Sequence, residues 1–140
     1  MSKPFSRLLY DQDDKAKEVF IRWITSQGWQ AKVNPDQYGI DVLCRSAEGV
    51  EWAVEVEVKH SWKSREFPHN SVHFAARKLK FAQDNAVFFM FNHDLSRALG
   101  VSGERFRQCK IVSKKTIYTE NEQFVEVPKA ACKFWDVLES

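Results

Sequence analysis

The chain has 140 residues, with 21 Lys+Arg against 19 Asp+Glu for a formal charge of +2, 44% apolar residues and 14% aromatics. That length suits one globular domain over 1–140, and the apolar content excludes a largely disordered chain. The longest apolar run, Ala86 to Phe91, is far short of the roughly 20 residues that cross a bilayer, and the N-terminus carries no hydrophobic leader, so membrane insertion and secretion are disfavoured.

In chain order, the spacing predicts a helix from Asp13 to Gln27, with Ala16, Val19, Phe20, Trp23 and Ile24 on one stripe. Asp11, Asp13 and Asp14 are candidates to cap its start and Gly28 to stop it. Trp29 to Val33 reads as a short strand, Asn34-Pro35-Asp36-Gln37 as a turn, and Tyr38 to Arg45 as a second strand. Ser46-Ala47-Glu48-Gly49 then turns the chain into a third strand, Val50 to Lys59. There Trp52, Val54, Val56 and Val58 fall on one face and Ala53, Glu55, Glu57 and Lys59 on the other. The apolar face calls for a partner, and the first helix is the expected one.

After a polar loop from His60 to Asn70, a helix is expected from Ser71 to Gln83, with Val72, Ala75, Ala76 and Leu79 buried and Arg77, Lys78 and Lys80 near the opposite side. Ala86 to Phe91 is apolar on both faces and reads as the central strand. Asp94 is expected to cap a short helix ending near Gly100. Lys110 to Tyr118 is rich in β-formers, and Val127-Pro128 is expected to precede a final helical turn or two through Trp135. The order gives an α/β fold with a mixed sheet and helices on both faces.

The charge is unevenly spread. Residues 1–57 hold 7 basic and 10 acidic side chains, residues 58–115 hold 12 and 4, and residues 116–140 hold 2 and 5. An acidic start and a basic middle fit a carboxylate cluster beside a phosphate-binding surface. Cys44, Cys109 and Cys132 are odd in number and form no C-x-x-C pair, which argues against a disulfide framework and for a reducing, cytoplasmic compartment. His60, His69, His73 and His93 form no zinc motif, and no phosphate-binding glycine loop is present.

Asp41 on the second strand and Glu57-Val58-Lys59 on the third lie one hairpin apart, so Asp41 can meet Glu57 or its neighbour across the ladder. Paired carboxylates repel unless a cation joins them, and oxygen-only ligands suit a hard ion such as Mg²⁺, with the Val58 carbonyl as a further donor. This arrangement resembles the PD-(D/E)xK nuclease superfamily, on Asp41, then Glu57-x-Lys59, with a helix before and an apolar strand after, over about residues 13–92. The final part, 93–140, reads as an elaboration.

The resemblance implies a restriction-endonuclease-like αβββαβ core and a Mg²⁺-dependent (Mn²⁺ as substitute) endonuclease that hydrolyses DNA phosphodiester bonds. It makes Asp41 and Glu57 metal ligands and Lys59 the residue that positions water or steadies the phosphate. A junction resolvase, a restriction-like enzyme and a phage-type endonuclease all fit. Duplex or branched DNA is the implied partner and a homodimer the implied assembly, with Arg77 and Lys78 as backbone-binding candidates. Asp36 is the alternative to Asp41. Glu18 is the helix candidate for the metal site, although it lies about 170° from the centre of the apolar stripe at 100° per residue. Glu55 is either a supporting group or exposed. Cys44, Trp62 and Phe67 read as core residues. The competing reading is a non-catalytic nucleic-acid-binding or assembly protein with the same fold.

Overall fold

The computed structural model describes residues 4–117 and 120–137, with side chains from residue 13 onward. Helix α1 spans Pro4–Ser26, beginning earlier than expected, because proline is well suited to a first helical turn. Asp11, Asp13 and Asp14 therefore lie inside the helix, not at its cap. Ala16, Val19 and Phe20 are buried, and Trp23 and Ile24 pack on the same cluster. Gly28, at φ +92°, ends the helix in the left-handed conformation, its N–H donating to the Thr25 carbonyl at 3.0 Å.

The strands among the described residues are β1 (Gln30–Val33), β2 (Val42–Arg45), β3 (Glu51–Val58), β4 (Ser71–Ala75), β5 (Ala86–Phe91), β6 (Arg97–Ser102), β7 (Lys110–Lys114), β8 (Glu122–Pro128) and β9 (Lys133–Asp136). A six-stranded sheet runs β1-β2-β3-β5-β6-β9, and a three-stranded sheet runs β4-β8-β7. The pair β3–β5 is parallel and its neighbours are antiparallel, so the main sheet is mixed, with β5 near its centre as expected. The Val54 and Val56 face of β3 packs under α1, with Val42, Phe89 and Phe91 in the same cluster.

The opposite face is covered mainly by the second sheet, with a 3-10 helix (Ala76–Phe81) and the short helix α2 (Gly103–Arg107) beside it. Its cluster gathers Trp62, Phe67, Phe74, Phe88 and Phe106, all buried. Trp62 and Phe67 are thus core residues, as read.

Three expected helices are corrected. Ser71–Ala75 is a strand paired with β8 from Ser71↔Pro128 to Ala75↔Phe124; Val72 and Phe74 alternate inward, and that period of two prevails over the apparent helical spacing, half of which rested on small alanines. Asp94 begins no helix. Asn92 Oδ1 accepts from Ser96 N and Arg97 N at 3.0 Å each, and Leu95 sits at φ +64°, a turn chemistry that competes with helix and launches β6 directly. At the C-terminal end, a 3-10 turn (Lys129–Ala131) gives way to β9. There the Trp135 ring packs against Gly100, where an added Cβ would stand 2.7 Å from it. Tyr118, the expected end of the β-rich stretch now seen as β7, lies outside the described residues.

Candidate active site

Antiparallel register sets the site. Val42 pairs with Val54, so Asp41, the residue before β2, comes opposite Glu55, with Glu57 one pleat further along. Tyr38 to Ile40 stay out of the strand because Asp36 folds them into a turn, accepting from Tyr38 N at 3.0 Å through Oδ1 and from Gly39 N at 3.0 Å through its carbonyl. Asp36 is thus occupied by the turn.

Asp41 is held on every side. Its carbonyl accepts from Asn34 N at 2.9 Å, its N–H donates to Glu55 Oε1 at 3.2 Å, and its Oδ2 accepts from Val56 N at 2.9 Å. The carboxylate therefore replaces the backbone partner that β3 loses where β2 stops. Its Oδ1 lies 3.5 Å from Lys17 Nζ on α1. Ala53 N and Lys59 N point to the β5 side, donating to Asn85 O and Phe91 O at 2.9 Å each, whereas Val56 N points to the β2 side. The alternation along β3 directs the Val58 carbonyl to that same β2 edge.

Glu55 is buried and forms part of the site. Lys78, on the 3-10 helix, bridges the two glutamates, with Nζ 3.0 Å from Glu55 Oε2 and 3.0 Å from Glu57 Oε1. Burial pushes the Glu55 carboxyl above its ordinary range, with Lys78 opposing and Asp41 adding to the shift. Burial alone would lower Lys78, but Glu57 and Glu55 more than offset it and hold the ammonium above its usual value. Lys78 thus faces inward, while Arg77 is exposed; at three residues per turn, neighbours on a 3-10 helix diverge by about 120°. Lys59 follows β3 and makes no ion pair among the described residues.

Asp13 on α1 joins the group. Its carboxyl is raised by partial burial and by Asp41, with Lys17, His60 and Lys78 acting the other way. Glu18 is exposed. The sequence reading missed Asp13 because it was assigned to a cap; at 100° per residue it falls about 50° from the centre of the apolar stripe, one turn before Lys17.

Among the described residues, no three His, Cys, Asp or Glu side chains converge as a ready-made metal cage. The carboxylates are instead neutralised by Lys17 and Lys78. One acceptor is left over: Glu57 Oε2 is buried and has no hydrogen-bond partner. An unpaired buried carboxylate oxygen is costly, and a hard cation would satisfy it. The oxygen-only donor set of Asp41, Glu57 and the Val58 carbonyl fits Mg²⁺ or Mn²⁺ in chemistry.

No family model matches the sequence, and no curated protein matches it. Among solved structures, the chain is similar to Hjc, a Holliday junction resolvase from the archaeal hyperthermophile Archaeoglobus fulgidus, with a TM-score of 0.52 over 86% of each chain and 9% sequence identity. No helix among the described residues is long and apolar enough to cross a membrane. At that identity the likeness is one of fold alone, a mixed α/β fold built on a central mixed sheet.

Proposed function

We propose that the chain is a metal-dependent DNA endonuclease that hydrolyses phosphodiester bonds, acting on duplex or branched DNA. The observation that carries this reading is Asp41, locked into the edge of β3 opposite Glu55, beside a Glu57 whose Oε2 is buried and unpartnered. Asp41, Glu57 and the Val58 carbonyl would hold Mg²⁺, or Mn²⁺ in its place. The bound ion would supply an activated water and neutralise charge on the phosphate.

The chain's own residues do the rest. The Val56 N–H and Lys17 fix the rotamer of Asp41. Glu55 braces the Asp41 backbone and shares Lys78 with Glu57. Lys59 and Lys78 are the ammoniums available to the charge that builds on the phosphate oxygens, Lys59 already free of ion pairs among the described residues and Lys78 once a cation takes its place. A chain with one such centre cuts both strands most simply as a homodimer. Residues 1–140 act as one domain in this reading, with a cytoplasmic setting.

One observation favours a second reading, a non-catalytic nucleic-acid-binding protein. Lys17 and Lys78 neutralise the cluster without any ion. A cleavage assay on branched, linear and single-stranded DNA with Mg²⁺, Mn²⁺ or EDTA separates the two. Cleavage that needs the metal and is lost in Glu57→Ala and Lys59→Ala supports the nuclease. Activity that ignores EDTA or survives both substitutions overturns it, and binding with no cleavage in any metal supports the second reading.

A further inference from the structure

Next to the carboxylates, the same face of the main sheet sinks into a groove of about 370 Å³. Leu43 pairs with Ala53 across β2 and β3, one pleat from Asp41 and Glu55, and Ala53 pairs in turn with Ala86 on β5. Two alanines side by side keep the floor low, between Ile40, Leu43 and Phe81. Three segments each give one residue to the cluster and a neighbour to the groove. On β3, Ala53 lies two residues before Glu55, about 6.8 Å away on the same face. On the 3-10 helix, Lys78 and Phe81 are three residues apart, and at three residues per turn such positions eclipse. Before β2, Ile40 directly precedes Asp41. The charges around the groove are accounted for: Glu51 is taken by Arg45 at 3.0 Å, and Asp84 by Arg107 at 2.6 Å. Gln83 and Asn85 also line it, and neither side chain has a hydrogen-bond partner among the described residues. The backbone of Asn85 is nonetheless fixed, its carbonyl accepting from Ala53 N at 2.9 Å.

We propose that this groove receives an unpaired nucleobase of the DNA, adjacent to the phosphate held at the carboxylate cluster, an inference that rests on the nuclease reading above. A paired and stacked base shows a protein only its edges. Its flat faces can lie against Ile40, Leu43 and Phe81 only when the base has left the stack. No unpaired ionised group lines the groove, so the part of the substrate that enters it is neutral, which fits a base and not a phosphate. Gln83 and Asn85 each bring an amide donor and an amide acceptor to the base edge. Lys80, with Nζ 5.0 Å from the centre of the Phe81 ring and no ion pair among the described residues, is left for a neighbouring phosphate. The consequence is a substrate preference: DNA with unpaired nucleotides at the cut, as in a bulge, flap or branch, over continuous duplex.

The test is fluorescence anisotropy at low salt in EDTA with two labelled DNAs, a continuous duplex and the same duplex carrying a short unpaired bulge, for the parent, Ala53→Leu and Asn85→Ala. The parent is expected to bind the bulged DNA roughly fivefold to tenfold more tightly than the duplex. Ala53→Leu fills the groove and is expected to abolish that preference. Asn85→Ala, at an exposed side chain, is expected to reduce it by roughly threefold. Equal binding of the two DNAs by the parent, or no binding of either, overturns the groove. So does a preference that survives in Ala53→Leu, or in Asn85→Ala should the filled variant not fold. Metal-dependent cleavage by a parent that binds both DNAs equally sinks the groove and leaves the nuclease reading standing. A preference lost in Ala53→Leu, with no cleavage by the parent in any metal, does the reverse.

Discussion

Replacing Lys78 with Met probes the cluster hardest. The ammonium is 13% exposed and lies 3.0 Å from a Glu55 carboxylate that is 8% exposed and 3.0 Å from a Glu57 carboxylate that is 27% exposed. At that distance each attraction is about 5 kcal/mol at an effective dielectric of about 20, and most of it offsets the lost solvation of the three groups. What the substitution exposes is the penalty of two facing carboxylates with no counter-ion. Truncating one partner of a buried pair costs about 3 to 5 kcal/mol, and the partial exposure of Glu57 puts this case near 3. For a chain of this size that is a fall in Tm of roughly 10 °C.

The pH dependence has a definite sign. Burial already holds Glu55 above its ordinary range, and loss of Lys78 raises it further. A carboxyl raised in the folded state favours folding below its unfolded value and loses that contribution as pH rises through the folded value. The deficit of Lys78→Met relative to the parent should therefore be small near pH 4, widen toward neutrality, and shrink when Glu55→Gln is added. Urea denaturation at several pH values measures it. A Lys78→Met protein as stable as the parent at neutral pH, or a deficit that widens as pH falls, would refute the account of the cluster.

Further outcomes follow from the same geometry. Asp41→Asn keeps an oxygen for the Val56 N–H, so stability should fall by less than about 1 kcal/mol, whereas metal-dependent cleavage should fall by about 100-fold or more; a urea melt and a single-turnover assay give the two numbers. Gly103→Ala would drive a Cβ into the backbone carbonyl of Gln83, and denaturation should show a loss of about 2 kcal/mol or more. Burial pushes the Cys44 and Cys132 thiols up to about 11 each, while Cys109 is raised less. A thiol reagent at mildly alkaline pH should therefore titrate Cys109 well before the other two.

How much of this was legible in the sequence depended on period and register. The Val ladder of β3 stood out because alternation over eight residues has no helical reading, and it led to Asp41, Glu57 and Lys59. Which glutamate faces Asp41 was not legible. It depends on whether the turn after Arg45 spans five residues or seven, and pairing of Arg45 with Glu51 leaves five and settles it on Glu55.

The segment from Ser71 to Phe81 misled, since Ala75, Ala76 and Leu79 mimic a helical stripe, while the strand character of Val72 and Phe74 comes from a β8 more than forty residues away. That error hid the inward Lys78, because a regular helix would have grouped it with Arg77 on the solvent side. Asp13 was hidden for the opposite reason: a short-range cap assignment obscured its place beside the buried stripe of a longer α1.

The central claim is that Asp41 and Glu57 hold a divalent ion whose place Lys17 and Lys78 fill electrostatically in its absence. Calorimetric titration of the apo protein with Mn²⁺ tests it most directly. One ion per chain, bound by the parent and lost in Asp41→Asn and in Glu57→Gln, is the result expected, with tighter binding in Lys78→Met because the competing ammonium is gone. Binding that persists in both carboxylate variants, or that weakens in Lys78→Met, would contradict it.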